Sequence, residues 1–180
     1  MTADQPDPVP AFARGFVATE GVLGVTGHRL DRLTPPHQEQ LAILSRSLFA
    51  RVHPACRLMS CLAEGADTIT AEAWPADRGL LGLLPAGEAH WRANIAPVMD
   101  PARFDALIAR AQVETLGQTP PVDWTALAIA LVARVDRVLA IWDGAPGKPG
   151  GTGSVVAAAR AAAKPVLHLR FDADGFTWVP

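Results

Sequence analysis

Short apolar runs, each closing on a polar or glycine-bearing turn that leads into a helical stripe, recur along this chain and leave few folds open to it. The runs are Gly21–Val25, Arg57–Cys61, Leu80–Leu84, Val138–Trp142 and Pro165–Phe171, with a shorter one at Val113–Leu116. Leu80–Leu84 is apolar at nearly every position, as a parallel strand covered on both faces must be. Between the runs lie helical signals. Thr34 reads as an N-cap with Pro35 at the first helical position, and Leu41, Leu44, Leu48 and Val52 follow at helical spacing. Glu64-Gly65-Ala66-Asp67 opens a helix that Pro75 stops, Phe104–Ala111 and Trp124–Arg134 read as helices, and an Ala-rich helix runs to about Ala163. Strands alternating with helices predict a three-layer α/β domain, a mostly parallel sheet with helices on both faces.

The remaining segments fall outside this alternation. Residues 1–19 are polar, carry Pro6, Pro8 and Pro10, and read as a flexible arm. Residues 20–171 form the domain, and Asp174-Gly175 turns residues 172–180 into an edge hairpin. Residues 85–103 read as a long loop, of the kind that serves as a lid. The formal net charge of −2, with no basic block, argues against a duplex nucleic acid partner. No signal-peptide pattern and no membrane-length apolar run are visible, so a cytoplasmic location is expected. Cys56 and Cys61 match neither a CxxC pair nor a zinc pattern and read as two reduced thiols beside a buried strand. No ligand set has metal-like spacing.

In an open parallel sheet, ligands sit beyond the C-terminal strand ends, where the strand order reverses. Two loops with unusual composition fall at such ends: Thr26-Gly27-His28-Arg29 after the first strand, and Asp143 to Ser154 after the fifth. With the first strand beside the fifth, both flank one crevice. In the second loop Gly150, Gly151 and Gly153 admit close backbone approach and lead into a helix N-terminus, whose outward amides and dipole suit a phosphate. Thr152 and Ser154 add hydroxyls. The alternative is a tight strand-to-helix turn and nothing more. In the first loop Arg29 either clamps a phosphate or pairs with Asp31 at the surface. His28 donates to a phosphate, stacks on a base or is structural. Gly24 and Gly27 allow close approach, and Thr26 bonds a phosphate or caps local amides. Glu64 and Asp67 either reach ribose hydroxyls or favour the helix they precede through its dipole. Asp143 binds a sugar hydroxyl or ties down the glycine loop, and Trp91 covers a base or packs in the core.

The set Gly24-Val25-Thr26-Gly27-His28-Arg29, Ala63-Glu64-Gly65-Ala66-Asp67, Ile141-Trp142-Asp143-Gly144 and Pro149-Gly150-Gly151-Thr152-Gly153 resembles the SLOG superfamily. That group joins the DNA-processing-protein Rossmann-like domains to the LOG, or "lysine decarboxylase-like", phosphoribohydrolases. The match is closest to a bacterial branch with a GHR loop and a WDG…GGT loop. The resemblance implies a Rossmann-like sheet with a nucleotide or nucleotide-derivative site, often in a homo-oligomer such as a dimer. It also implies a departure. The LOG enzymes carry PGGxGTxxE, and here Ser154 stands at the Thr position and Ala157 at the Glu position. Ala157 can neither move a proton nor stabilise a developing positive charge.

Three functions follow as expectations. The leading one is a nucleotide-binding, sensor-like module without strong catalysis. The second is an N-glycosidic hydrolase acting on a nucleoside monophosphate, with Glu64, Asp67 or Asp143 in place of the missing carboxylate. The third is an interaction domain whose crevice is vestigial, filled by side chains and without convergent donors.

Overall fold

The computed structural model describes residues 7–95, 100–117 and 122–180. Its core is a seven-stranded sheet in the order β4-β3-β2-β1-β5-β6-β7. The strands are β1 Val22–Gly27, β2 Arg57–Ser60, β3 Leu80–Leu84, β4 Ala111–Thr115, β5 Arg137–Trp142, β6 Val166–Asp172 and β7 Gly175–Val179. All neighbours are parallel except β6 and β7, which form the hairpin expected at Asp174-Gly175. The order reverses between β1, which pairs with β2 on one side and β5 on the other. The first strand therefore does lie beside the fifth.

Alternation along the strands feeds two cores. Leu23 and Val25 of β1, with Leu139 and Ile141 of β5, pack against α2 Pro35–Phe49, α3 Ala66–Ala73 and α5 Pro101–Arg110. Val22 and Val138 instead join the other face, under α6 Trp124–Arg134 and α7 Thr152–Ala161. Helix starts follow the residues expected to make them. Thr34 Oγ1 accepts from the His37 N–H at 3.4 Å ahead of α2, and Asp123 Oδ1 accepts from the Ala126 N–H at 2.9 Å ahead of α6.

Two expectations are corrected. The flexible arm does not extend through residue 19. Ala11–Val17 form a helix, α1, whose Val9, Ala13 and Val17 contacts are fully buried in the core. Asp7 holds the start of this segment, accepting from the Val9 N–H at 3.0 Å and from Arg14 and Arg51 at 2.6 Å each. Residues 1–6 of the arm lie outside the described residues. The long loop at 85–103 is also not a plain loop. It contains α4, Glu88–Ile95, and the first turn of α5, capped by Asp100, whose Oδ1 accepts from the Ala102 N–H at 3.0 Å. Residues 96–99 lie outside the described residues.

Cys56 and Cys61, both free, flank β2 in the core. Burial pushes both thiols up, Cys61 well above its usual value, which removes them as nucleophiles near neutral pH. Among the described residues no helix is long and apolar enough to cross a membrane.

Candidate functional site

Beyond the C-terminal ends of β1 and β5 lies an open crevice of about 670 Å³. Two close backbone approaches bring its loops together. A Cβ at Gly27 would lie 2.9 Å from both Cβ and the carbonyl oxygen of Ile141 and would collide with Ala66, so only glycine lets β1 leave the sheet here. Gly65 has φ +117°, and a Cβ there would sit 2.5 Å from the His28 carbonyl oxygen. That same carbonyl accepts from the Ala66 N–H at 3.0 Å, while the His28 N–H donates to Ile141 at 3.1 Å. The β1 loop is thus stitched to α3 on one side and to β5 on the other.

The glycine loop meets it through Asp143. One Asp143 oxygen accepts from the Ala145 N–H at 2.9 Å and lies 3.0 Å from His28 Nε2, off the line of the ring N–H. The other accepts from Arg32 at 2.5 Å. Partial burial raises this carboxyl, but the His28 ring, the Ala145 N–H and Arg32 outweigh it and hold it below the usual carboxylate range. Asp143 therefore ties down the loops, the structural alternative of the two weighed above, and it is not among the residues lining the crevice.

Within the glycine loop the amides divide sharply. Gly150, at φ +77°, packs against the start of α6, where a Cβ would lie 2.6 Å from the Trp124 carbonyl oxygen. Its N–H donates to Ser154 Oγ at 3.0 Å, and the Gly151 N–H donates to the Lys148 carbonyl at 3.0 Å. Those two amides and the Ser154 hydroxyl are consumed in shaping the turn. The N–H groups of Thr152 and Gly153, the first two of α7, have no intrahelical partner and meet no acceptor among the described residues. Both residues line the crevice beside Lys148, an exposed cation with no carboxylate partner among the described residues.

The other expected residues separate in the same way. Thr26, Gly27, His28, Arg29 and Asp67 line the crevice. Gly24 does not. It lies within β1, and a Cβ there would come 2.9 Å from Val135 Cγ1, so its glycine serves packing under the α6–β5 turn. Glu64 does not line the crevice either. It is 5% exposed, and its Oε1 accepts from Arg29 at 2.9 Å. Arg29 thus pairs with Glu64 and not with Asp31. Asp67 is buried but faces the crevice, and its carboxyl is pushed up to about 7, chiefly by desolvation and further by the Glu64 charge.

One wall was not anticipated. Trp124, Leu127, Ala128 and Leu131 of α6 line the crevice with Trp91 and Trp142. A helix apolar on most sides reads as core in a sequence, so α6 carried no signal that part of its apolar surface faces open space. Trp91 packs in the core, one of the two roles weighed for it, and its ring also reaches the crevice wall. Ala157 is exposed and does not line the crevice. A second depression of about 360 Å³ between α3 and α5 is less promising: its Arg103 closes on Glu72 at 2.6 Å, and its Arg110 donates to the Trp74 and Pro75 carbonyls. Among the described residues no cluster of His, Cys, Asp or Glu could hold a metal ion.

A 3-2-1-5 strand order around a reversal, with a glycine loop entering a helix at that reversal, decides the architecture. The fold is Rossmann-like. Two solved structures share it. One is the structural-genomics target TM1055, at 17% identity and TM-score 0.52, matching 82% of this chain and 72% of its own. The other is the molybdenum cofactor carrier protein of Chlamydomonas reinhardtii, at 16% identity and TM-score 0.50, matching 87% of this chain and 80% of its own. At this identity the likeness is one of fold. No family model matches the chain, and no curated protein matches it by sequence.

Proposed function

We propose that this Rossmann-like domain binds a nucleotide or nucleotide derivative, with its phosphate on the Thr152 and Gly153 amides and Lys148. The observation that carries the reading is the pair of amides at the N-terminus of α7, unpartnered among the described residues, opening into a crevice that also holds Lys148 and an aromatic wall. Backbone donors, the helix dipole and Lys148 serve the anion. Trp91, Trp124 and Trp142 serve a flat apolar moiety. The open crevice with convergent donors speaks against a vestigial pocket. SLOG membership and assembly as a dimer belong to the same proposal, as does a cofactor-carrying role like that of the Chlamydomonas reinhardtii molybdenum cofactor carrier protein.

A thermal-shift panel of nucleoside mono-, di- and triphosphates, ADP-ribose and cyclic dinucleotides tests it. A ligand at 100 times its Kd stabilises by about 2.7 kcal/mol, a rise of roughly 5–10 °C for a domain of this size. No rise with any of them from the folded protein removes the reading.

One observation favours a second reading, N-glycosidic hydrolysis of a nucleoside monophosphate. Asp67 places a carboxyl with a near-neutral pKa on the crevice wall, suited to proton transfer at pH 7. It takes the role considered for Glu64 and Asp143, both of which are engaged elsewhere. Release of free base by the wild type, abolished in Asp67→Asn, supports this reading; no release above the uncatalysed rate across the panel removes it.

A further inference from the structure

Three of the chain's five tryptophans, Trp91, Trp124 and Trp142, line one crevice, and the chain has no tyrosine. Two of them form a distinct arrangement. Trp124 begins α6 and is 37% exposed, unusual for so large a ring. Trp91 lies behind it, 2% exposed, with ring centroids 5.8 Å apart and planes tilted by 51°. The Arg29 guanidinium sits 5.6 Å from the Trp124 ring centroid, half-exposed and fixed by its bond to Glu64. The Trp91 indole nitrogen is buried and meets no acceptor among the described residues. Buried donors are rarely left unpaired, because nothing replaces the water they gave up. Gly150 brings the glycine loop against the Trp124 backbone, so this aromatic corner and the free Thr152 and Gly153 amides are joined across a single tight contact.

We infer that Trp124, backed by Trp91 and flanked by the Arg29 guanidinium, is a stacking subsite for a planar heteroaromatic ring. Trp91, buried behind it, holds the Trp124 ring in place. The ligand class is a nucleotide that keeps its base, bound in preference to a base-free sugar phosphate. This rests on the nucleotide-binding reading above. Indole and guanidinium surfaces accept any flat base by stacking. Stacking is available to every common nucleobase, so the corner selects for the presence of a base more than for its identity.

The test uses the full chain. Intrinsic fluorescence is a direct probe, since tryptophan is its only strong emitter and three of five line the crevice. AMP, GMP, CMP and UMP are titrated alongside ribose 5-phosphate, with calorimetry to confirm each Kd. Wild-type protein is expected to bind at least one nucleotide about 10- to 100-fold more tightly than ribose 5-phosphate, the range that stacking one base supplies. Trp124→Leu keeps the Cβ that packs against Gly150 and should bring that nucleotide to the ribose 5-phosphate level without changing ribose 5-phosphate affinity. Trp91→Phe keeps a ring and removes the N–H. It should weaken the nucleotide less than Trp124→Leu does, and its own melting temperature reports whether the core is intact. Equal affinity for nucleotide and ribose 5-phosphate, or unchanged nucleotide affinity in Trp124→Leu, overturns the stacking subsite and leaves the phosphate site standing. Binding of neither class overturns both.

Discussion

The two ends of the β1–β5 pair are built on the same strands and treated in opposite ways. At the N-terminal end most polar groups are closed on one another, with the buried Arg137 Nε the exception among the described residues. Asp136 Oδ2 accepts from the Val22 N–H at 2.6 Å. Arg137, 5% exposed, donates to the Glu20 and Thr19 carbonyls at 2.7 and 2.6 Å and to Cys56 Sγ at 3.2 Å. At the C-terminal end the Thr152 and Gly153 amides and Lys148 have no partners among the described residues, and Asp67 is held in a crevice that raises its pKa. The difference teaches where this chain keeps its stability and where it gives stability up. Groups that would stabilise the fold if paired are unpaired where a ligand can reach them.

The comparison breaks first if the closed end proves dispensable. Arg137→Leu strands two backbone carbonyls and should cost about 3 kcal/mol, with a fall in Tm of roughly 6–12 °C. Ligand affinity of the folded protein should not change, and a loss of affinity would mean the two ends are coupled. Gly153→Asp tests the open end. A Cβ at Gly153 meets nothing nearer than the Trp142 ring at 3.5 Å, so the fold accepts the side chain. The carboxylate should lower anion affinity at least about 100-fold, while its place in the first turn of α7 raises unliganded stability by about 0.3–1 kcal/mol. Stability and binding moving in opposite directions is the signature of a site; both falling together would indicate a structural turn.

Asp67 sharpens the contrast through pH. Its folded pKa of about 7 lies above the ordinary value of 3.8, so between those values the native state holds a proton that the unfolded state has released. Stability from this group is therefore full below pH 4, declines as pH rises towards 7, and is flat above. The loss is on the order of 2–4 kcal/mol. Asp67→Asn cannot ionise and should remove the slope, being more stable than wild type at pH 8 and equal to it near pH 4 in denaturant titrations. The smallest effect is expected of Ser154→Ala. It deprives the Gly150 N–H of its acceptor, should cost about 1 kcal/mol, and should weaken binding only modestly.

Much of the fold was legible because parallel strands buried on both faces are continuous apolar runs, and β3 and β5 have that form. The helix α1 was hidden by its prolines. Val9, Ala13 and Val17 do recur at helical spacing, but three contacts beside Pro6, Pro8 and Pro10 are outweighed until tertiary packing supplies the rest. The site was legible at its glycines and less so in its detail. Which amides remain free depends on Ser154 Oγ and the Lys148 carbonyl, local contacts fixed by how the loop closes and not by its letters alone. Gly24 looked like a ligand-facing glycine and is a packing one, because the pressure on it comes from Val135, distant in sequence. The α6 wall was unreadable for a related reason: an apolar ring in core and an apolar ring facing a crevice have the same letter.

The most direct test of the central claim is a two-dimensional ¹H–¹⁵N NMR titration of the full chain with the nucleotide that gives the largest thermal shift. The account predicts that the Thr152 and Gly153 amide resonances move furthest downfield among backbone signals, as amides taking up a charged acceptor do, with Gly150 and Gly151 moving less. A bound nucleotide that leaves Thr152 and Gly153 unmoved would contradict it.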